Sequence, residues 1–278
     1  MNITELKKTA NNIRKGIIEE VHAAASGHPG GSLSSADILT YLYFEEMQNI
    51  DPKDPKNPDR DRFVLSKGHA APVLYATLAE KGFIPKEELV TLRKIGSRLQ
   101  GHPDMNLVPG VDMSTGSLGQ GLSTAVGMAL AAKLDKKDYR VYSLLGDGEI
   151  QEGQIWEACM FAGYRKLDNL VVILDNNGLQ IDGEIKKVCS PYPLDEKFLS
   201  FNFHVIHADA HDFDSLKAAF DEAKETKGMP TAIIAKSVKG KGVSFMENEV
   251  GWHGKGPNDE EYKAAMADLE RIETELCQ

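Results

Sequence analysis

Cysteine is scarce: Cys159, Cys189 and Cys277 are the only three in 278 residues. Their odd number and wide spacing argue against a disulfide scaffold or a structural zinc site, and suit a reducing interior. Basic charge is also short. Lys and Arg total 32 against 42 Asp and Glu, a formal net charge of −10. Lys236, Lys239 and Lys241 form the densest basic cluster, which is no stripe for nucleic acid. Long apolar runs are missing as well, because Ile3 to Val21 is broken by charges at helical spacing. Neither a secretory segment nor a membrane span is expected, and the cytoplasm is the expected location. No internal repeat, low-complexity tract or linker divides the chain. With 41% hydrophobic residues it can bury one large core, and a single domain over residues 1–278 is the expectation.

What is present reads as alternating elements. Leu6, Ile13, Ile17, Ile18 and Val21 fall on one stripe of a helix from about Ile3 to Ala25. Ser34 is placed to cap a second helix running to Tyr43, and the stretch from Asp51 to Arg62, with three prolines, reads as a surface loop. Helices are expected over Pro72–Lys81, Lys86–Ile95 and, rich in small residues, Gln120–Leu134. Beyond these, strands at Val141–Leu145, Leu170–Leu174, Phe203–Ile206 and Thr231–Ala235 alternate with helices at Ile155–Ala162 and Phe213–Thr226, the latter capped by Asp212. An amphipathic helix at Asp259–Leu276 follows. The alternation predicts an α/β fold: a doubly wound, mostly parallel sheet with helices on both faces.

In such sheets ligands bind beyond the C-terminal ends of the strands. The strand ending at Leu145 leads into Gly146-Asp147-Gly148 and a helix, and the strand ending at Leu174 leads into Asp175-Asn176-Asn177-Gly178-Leu179. Parallel strands would bring both polar turns to one edge. Mg2+ takes a near-octahedral set of hard oxygens and often keeps phosphate ligands. The Asp147 carboxylate, the Asn177 amide oxygen and the Leu179 carbonyl supply three, leaving a diphosphate and a water to complete the set. Gly148, at an expected helix N-terminus, would let backbone N–H groups face a phosphate. Either motif alone reads as a turn; the pair, each after a buried strand, points to a metal-held diphosphate.

Four histidines, His28, His69, His102 and His253, stand beside Gly or Pro in expected loops, where functional groups concentrate. His204, His207 and His211 lie closer in sequence. The first two, however, should point to opposite faces of a strand, which argues against zinc.

The surrounding segments resemble known enzymes. GDGEIQEG at 146–153, followed by LDNN at 174–177, is similar to the signature of thiamine-diphosphate enzymes. SGHPGGSL at 26–33, LSKGHAAP at 65–72, GHPD at 101–104, TGSLGQGLS at 115–123 and KGKG at 239–242 narrow the resemblance to transketolase, in that family's order over nearly the whole chain. The resemblance implies thiamine diphosphate with Mg2+, for which Ca2+ or Mn2+ would substitute. Asp147, Asn177 and the Leu179 carbonyl would hold the metal. His69, Gly116, Ser117, Leu118, Gly148, Asn177, Ile181 and His253 would hold the cofactor, with Ser117 standing where the family usually has proline. His28, His69, His102 and His253 would be active-site histidines, and Glu152 would face a partner glutamate across the boundary between subunits.

The implied reaction is reversible transfer of a two-carbon ketol unit from a ketose phosphate to an aldose phosphate. His28 and His253 would serve proton transfer and a developing alkoxide, His69 the diphosphate and substrate hydroxyls, and His102 the substrate. The family's pyrimidine-binding domain, with the glutamate that activates the cofactor and most arginines for a substrate phosphate, would follow Gln278. The resemblance therefore implies the N-terminal subunit of a split transketolase. It would form a two-plus-two heterotetramer with a separate C-terminal subunit and serve carbohydrate metabolism such as the pentose phosphate pathway. Arg93 and Arg98 border the expected entrance without an assigned role. The rival α subunit of a 2-oxo-acid dehydrogenase would not be expected to show SGHPGG or SKGHAAP. A nicotinamide enzyme lacks support because no Gly-x-Gly-x-x-Gly follows a strand. A non-catalytic cofactor-binding subunit would have no need of His28 or His102.

Overall fold

Apolar side chains at alternate positions of short strands bury both faces of one sheet. A computed structural model describes residues 1–277, so the chain end at Gln278 lies outside the described residues. The strands are β1 (Arg62–Leu65), β2 (Val141–Gly146), β3 (Leu170–Asn176), the two-residue pair β4 (Leu179–Gln180) and β5 (Gly183–Glu184), β6 (His204–Asp209) and β7 (Thr231–Lys236). Five of them form a sheet of order β1-β2-β3-β7-β6 with every pairing parallel, while β4 and β5 make a separate antiparallel hairpin.

Helices follow in the order α1 (Ile3–Ala23), α2 (Pro29–Leu33), α3 (Ala36–Tyr41), α4 (Ala71–Lys81) and α5 (Gln120–Leu134). The rest are α6 (Gly153–Tyr164), α7 (Ile185–Val188), α8 (Leu194–Ser200), α9 (Phe213–Glu225) and α10 (Asp259–Leu276). Tyr142, Leu144, Val171, Ile173 and Ile233 point to the face covered by α1, α3, α4, α9 and α10. Val141, Leu145, Leu170, Val172 and Leu174 point to the face covered by α5, α6 and α8. A period of two thus serves two cores at once, as a parallel sheet buried on both sides requires. The predicted fold class is the one observed.

Three local expectations are corrected. Ser34 does not cap a helix; its hydroxyl donates to the Gly31 carbonyl and, at 2.7 Å, to Asp175, while the helical run breaks into α2, α3 and a π-turn at Leu42–Glu46. Lys86–Ile95 forms only a 3-10 turn at Lys86–Thr91, because Arg93 and Gly96 take positive φ angles that end helical winding. β1 is an addition to the expected strands, since three apolar residues after a proline-rich loop give too short a signal. Asp212 does cap α9, accepting from the Asp214 N–H. Among the described residues no helix is long and apolar enough to cross a membrane.

One group in this core is a liability. Glu20 of α1 is fully buried and neither carboxylate oxygen has a hydrogen-bond partner. Burial, then the charge of Glu19, holds its pKa well above the ordinary 4.5. A group whose pKa is raised by folding stabilises fully below its unfolded pKa and loses that contribution as pH rises. Replacing it with methionine, of similar length and without a polar group, is expected to stabilise the fold by about 1–3 kcal/mol at pH 7.5. The urea midpoint should rise more at pH 7.5 than at pH 4.5; a lower midpoint at both would contradict it.

Candidate active site

Parallel pairing sets the geometry. Leu145 is level with Leu174, and Gly146 with Asp175, so the turns after β2 and β3 leave the same edge of the sheet. β7 ends beside them, with Asn176 level with Lys236. Beyond this edge lies a cavity of about 360 Å³. His28, His69, Gly116, Leu118, Asp147, Gly148, Glu152, Asn177, Leu179, Ile181 and His253 all line it. Two expected residues do not: Ser117 is exposed beside it, and His102, also exposed, sets its ring against Gly116 outside the lining. Gly148 does not open a long helix; a 3-10 turn at Glu149–Gln151 intervenes before α6.

The polar turns after β2 and β3 interlock. The Gly178 N–H donates to Asp147 Oδ2 at 2.5 Å, and the Leu179 N–H donates to Asn177 Oδ1 at 3.0 Å. The Asn177 amide nitrogen donates to Asp175 at 3.1 Å, which aims its oxygen away from that carboxylate. A carboxylate, an amide oxygen and the Leu179 carbonyl therefore gather as hard-oxygen donors, the chemistry a Mg2+ ion takes. Burial, then the charge of Asp175, pushes Asp147 up to about 7, which marks a carboxylate short of positive charge.

The fold also brings in cations that sequence reasoning passes over. Lys67 and Lys239 are both buried and both line the cavity. Lys67 Nζ donates to Asp175 at 2.5 Å and to the Gly31 carbonyl at 2.7 Å. Lys239 Nζ lies 3.3 Å from the Leu179 carbonyl and donates to His253 Nδ1 at 2.8 Å. Burial and Lys67 outweigh two nearby carboxylates and lower Lys239 to about 8. Glu149, also outside the expected set, accepts from Ser66 at 2.5 Å and from the Gly119 and Gly146 N–H groups at 3.0 and 3.1 Å. Asp175 and these three stand inside the motifs SKGH, LDNN, KGKG and GDGE. A charged residue abutting an apolar strand or a glycine turn is the signal that could have found them.

Three histidines form a triangle. Ring centroids are 5.1 Å apart for His28–His69, 5.5 Å for His28–His253 and 5.3 Å for His69–His253. Glycine permits the crowding around them: a Cβ on Gly68 would meet the Gly116 nitrogen at 2.6 Å, and one on Gly116, whose φ is +153°, would meet the His102 ring at 3.0 Å. Burial, then Arg93, His102 and Lys239, lowers His28 to about 4. Burial, then Lys239, His28 and Lys67, lowers His253 to about 3. His69 is held well below its usual value by burial and Lys67, and His102 is lowered by burial and Arg93. Since a lysine only donates, His253 Nδ1 accepts, and its proton resides on Nε2.

Arg93 donates to Ser26 at 2.8 Å and packs over Gly101, joining the loops that carry His28 and His102. Arg98 is instead paired with Glu88 at 2.7 Å. The other histidines stay apart, with His204 on Glu222, His207 on Asp195 and His211 on Asp37. Among the described residues no group of three His, Cys, Asp or Glu side chains forms a metal cluster.

Residues 5–270 match the family described as transketolase, thiamine diphosphate binding domain, and the chain belongs to that family. It is 48% identical over 267 residues to the 6-deoxy-6-sulfo-D-fructose transketolase subunit SqwG of Clostridium sp. (strain MSTE9), covering 96% of this chain and 97% of that protein. It is 44% identical over 274 residues to an apulose-4-phosphate transketolase subunit of Phocaeicola vulgatus, covering 98% and 97% respectively. Human transketolase is 49% identical over 257 residues, but these span 90% of this chain and only 40% of that one. The crystal structure of Campylobacter jejuni transketolase superposes with a TM-score of 0.89 at 35% identity, over 99% of this chain and 47% of the other.

The histidine shifts make a measurable statement. Their folded pKa values lie below the unfolded 6.5, so the stability they contribute is present above pH 6.5 and lost as pH falls toward 4. Imidazole resonances of His28, His69 and His253 are expected to stay in the neutral form from pH 8 to pH 5 in an NMR titration. A midpoint near 6.5 for any of the three would contradict the buried triangle.

Proposed function

We propose that this chain is the cofactor-binding subunit of a two-chain transketolase that moves a two-carbon ketol unit from a ketose phosphate, or a ketose of like charge, to an aldose acceptor. The observation that carries this is the meeting, in one cavity, of the Asp147–Asn177–Leu179 oxygens, two buried lysines and three neutral histidines. The near end-to-end match with two relatives named as transketolase subunits supports the two-chain reading.

The residues suit the cofactor. Asp147, Asn177 and the Leu179 carbonyl would hold Mg2+, and Lys239 and the backbone at Gly148 would face the diphosphate. Gly116, Leu118 and Ile181 would flank the rings, and Ser117 would contribute backbone only. When bound, thiamine diphosphate supplies the carbon nucleophile and electron sink that make cleavage beside a carbonyl feasible.

The protein's own task is proton handling and orientation. His28 and His253 are neutral, so either can take a proton from a donor hydroxyl, and the Nε2–H of His253 can donate to an oxygen gaining charge. His69, the third corner of the triangle, would serve the diphosphate and the substrate hydroxyls. His102, behind Gly116, would meet the substrate from the rim, beside Arg93. Glu152, exposed at the N-terminus of α6, lies where a second subunit would cover it.

That partner is proposed to be a C-terminal subunit with a pyrimidine-binding domain, in a two-plus-two heterotetramer. Exposed apolar side chains support a covered face here: Met160, Phe161 and Tyr164 on α6, and Ile181 beside the cavity. The sulfonated and branched sugars in the relatives' names favour a specialised sugar pathway over the general pentose phosphate route.

Purified chain is expected to give no ketol transfer alone and to gain it with the co-expressed partner; turnover without any second polypeptide would sink the two-chain reading. In the assembled enzyme, His28→Ala or His253→Ala is expected to lower kcat by about 10²–10⁴. Mg2+ and the cofactor should still bind in both variants, more weakly in His253→Ala, which removes a hydrogen-bond partner of Lys239. Unchanged steady-state kinetics in both variants would refute the proton-transfer assignment.

A further inference from the structure

The segment from Ser237 to Gly242 presents Lys239 to the cavity, and its backbone is fixed by a buried ionic cluster behind it. Asp37 of α3 is buried, and its Oδ2 receives two partners. One is the Arg14 guanidinium from α1; the other is His211 Nδ1, at 2.7 Å, from the turn after β6. Each partner uses its remaining group on the segment. The Val238 N–H donates to His211 Nε2 at 2.9 Å, and Arg14 Nε donates to the Lys241 carbonyl at 3.1 Å. Accepting at Nε2 leaves the His211 proton on Nδ1, directed at Asp37. The two anchors fall on either side of Lys239, and both are tied to one carboxylate oxygen.

We propose that Asp37, His211 and Arg14 form a clamp that positions Lys239 for the anionic end of the cofactor. They are positioning residues, since none of them lines the cavity. A lysine on a free loop loses side-chain freedom when it is fixed on a ligand, and a loop that must also be ordered adds to that cost. Fixing the backbone at Val238 and Lys241 removes part of it before the ligand arrives, as pre-organisation does elsewhere. Burial alone would raise the Asp37 carboxyl, but Arg14 and His211 outweigh it and hold it at about 2. The carboxylate therefore keeps both anchors at any pH at which the enzyme works.

The proposal rests on Lys239 facing the diphosphate, and the test separates the two claims. In the full chain, thiamine diphosphate with Mg2+ is titrated against wild type, H211L, H211Q, K239M and the double variant H211L/K239M, and hydrogen exchange is followed at the Val238 amide. A glutamine amide can accept from Val238 and donate to Asp37, so H211Q keeps both bonds. H211L is expected to weaken binding about tenfold and to speed exchange at Val238, with H211Q restoring both. In the K239M background H211L should change the Kd less than twofold, because its effect runs through the missing ammonium. A merely structural role would give additive losses instead, and would overturn the clamp. So would wild-type affinity in H211L. If K239M itself binds as wild type, it is the reading of the cavity that fails, and clamping of Lys239 for the diphosphate falls with it. Should H211L not fold, H211N replaces it, since its amide reaches Asp37 but not Val238.

Discussion

The pair formed by Lys67 and Asp175 is the constraint on which the site is built. Asp175 is fully buried at the end of β3, and Lys67 is 1% exposed. An unpaired charge there would be costly; breaking such a pair by removing one partner typically costs about 3–5 kcal/mol. The carboxylate is instead saturated, with Lys67, Ser34, Ser237 and the Asn177 amide all donating to it. Burial would raise its pKa, but Lys67 and the hydroxyls outweigh that and keep it ionised. Those four donors come from four separate stretches of chain. The α2–α3 link, the turn that carries His69, the Asn177 turn and the end of β7 are all oriented by one buried anion. Supporting bonds of this kind set the direction of a ligating side chain as surely as its own backbone does.

The histidines show the same economy in electrostatic form. Three imidazoles within 5.5 Å of one another cannot share a cavity as cations. Burial and the two lysines hold them neutral, which leaves the lysines as the positive charges facing the cavity. In the proposed reaction, proton transfer and anion binding would fall to different side chains.

Much of this is legible in the sequence, and the limits are physical. Short continuous apolar runs announce β2, β3 and β7, because a strand buried on both faces leaves little room for polar residues; β6, at the sheet edge, keeps polar residues on one side. The paired turns Gly146–Gly148 and Asp175–Leu179 announce the metal-type oxygens, since loops beyond parallel strands share an edge. The cavity gathers His28, His69 and His253 from loops far apart in sequence, as their Gly and Pro neighbours suggest. Lys67, Lys239 and Glu149 stay hidden because a buried charge looks like a surface charge until its partner is known. Ser34 misleads for a similar reason: a serine before a helix signals a cap, and only tertiary contact shows that its hydroxyl serves Asp175. His102 and Ser117 carry the right motifs, but both are exposed outside the cavity lining, His102 with its ring against Gly116.

The cavity lies beyond the C-terminal edge of the sheet, lined from turns, helix starts and loops, while the two cores lie against the sheet's faces. The stability of the domain and the chemistry of its mouth are therefore encoded in largely separate residues. Substitution among the exposed residues around the mouth leaves untouched the packing that keeps the sheet folded. This division gives evolution a scaffold on which specificity can drift at small cost in stability. It accords with relatives that keep close to half of this sequence while bearing the names of different sugars.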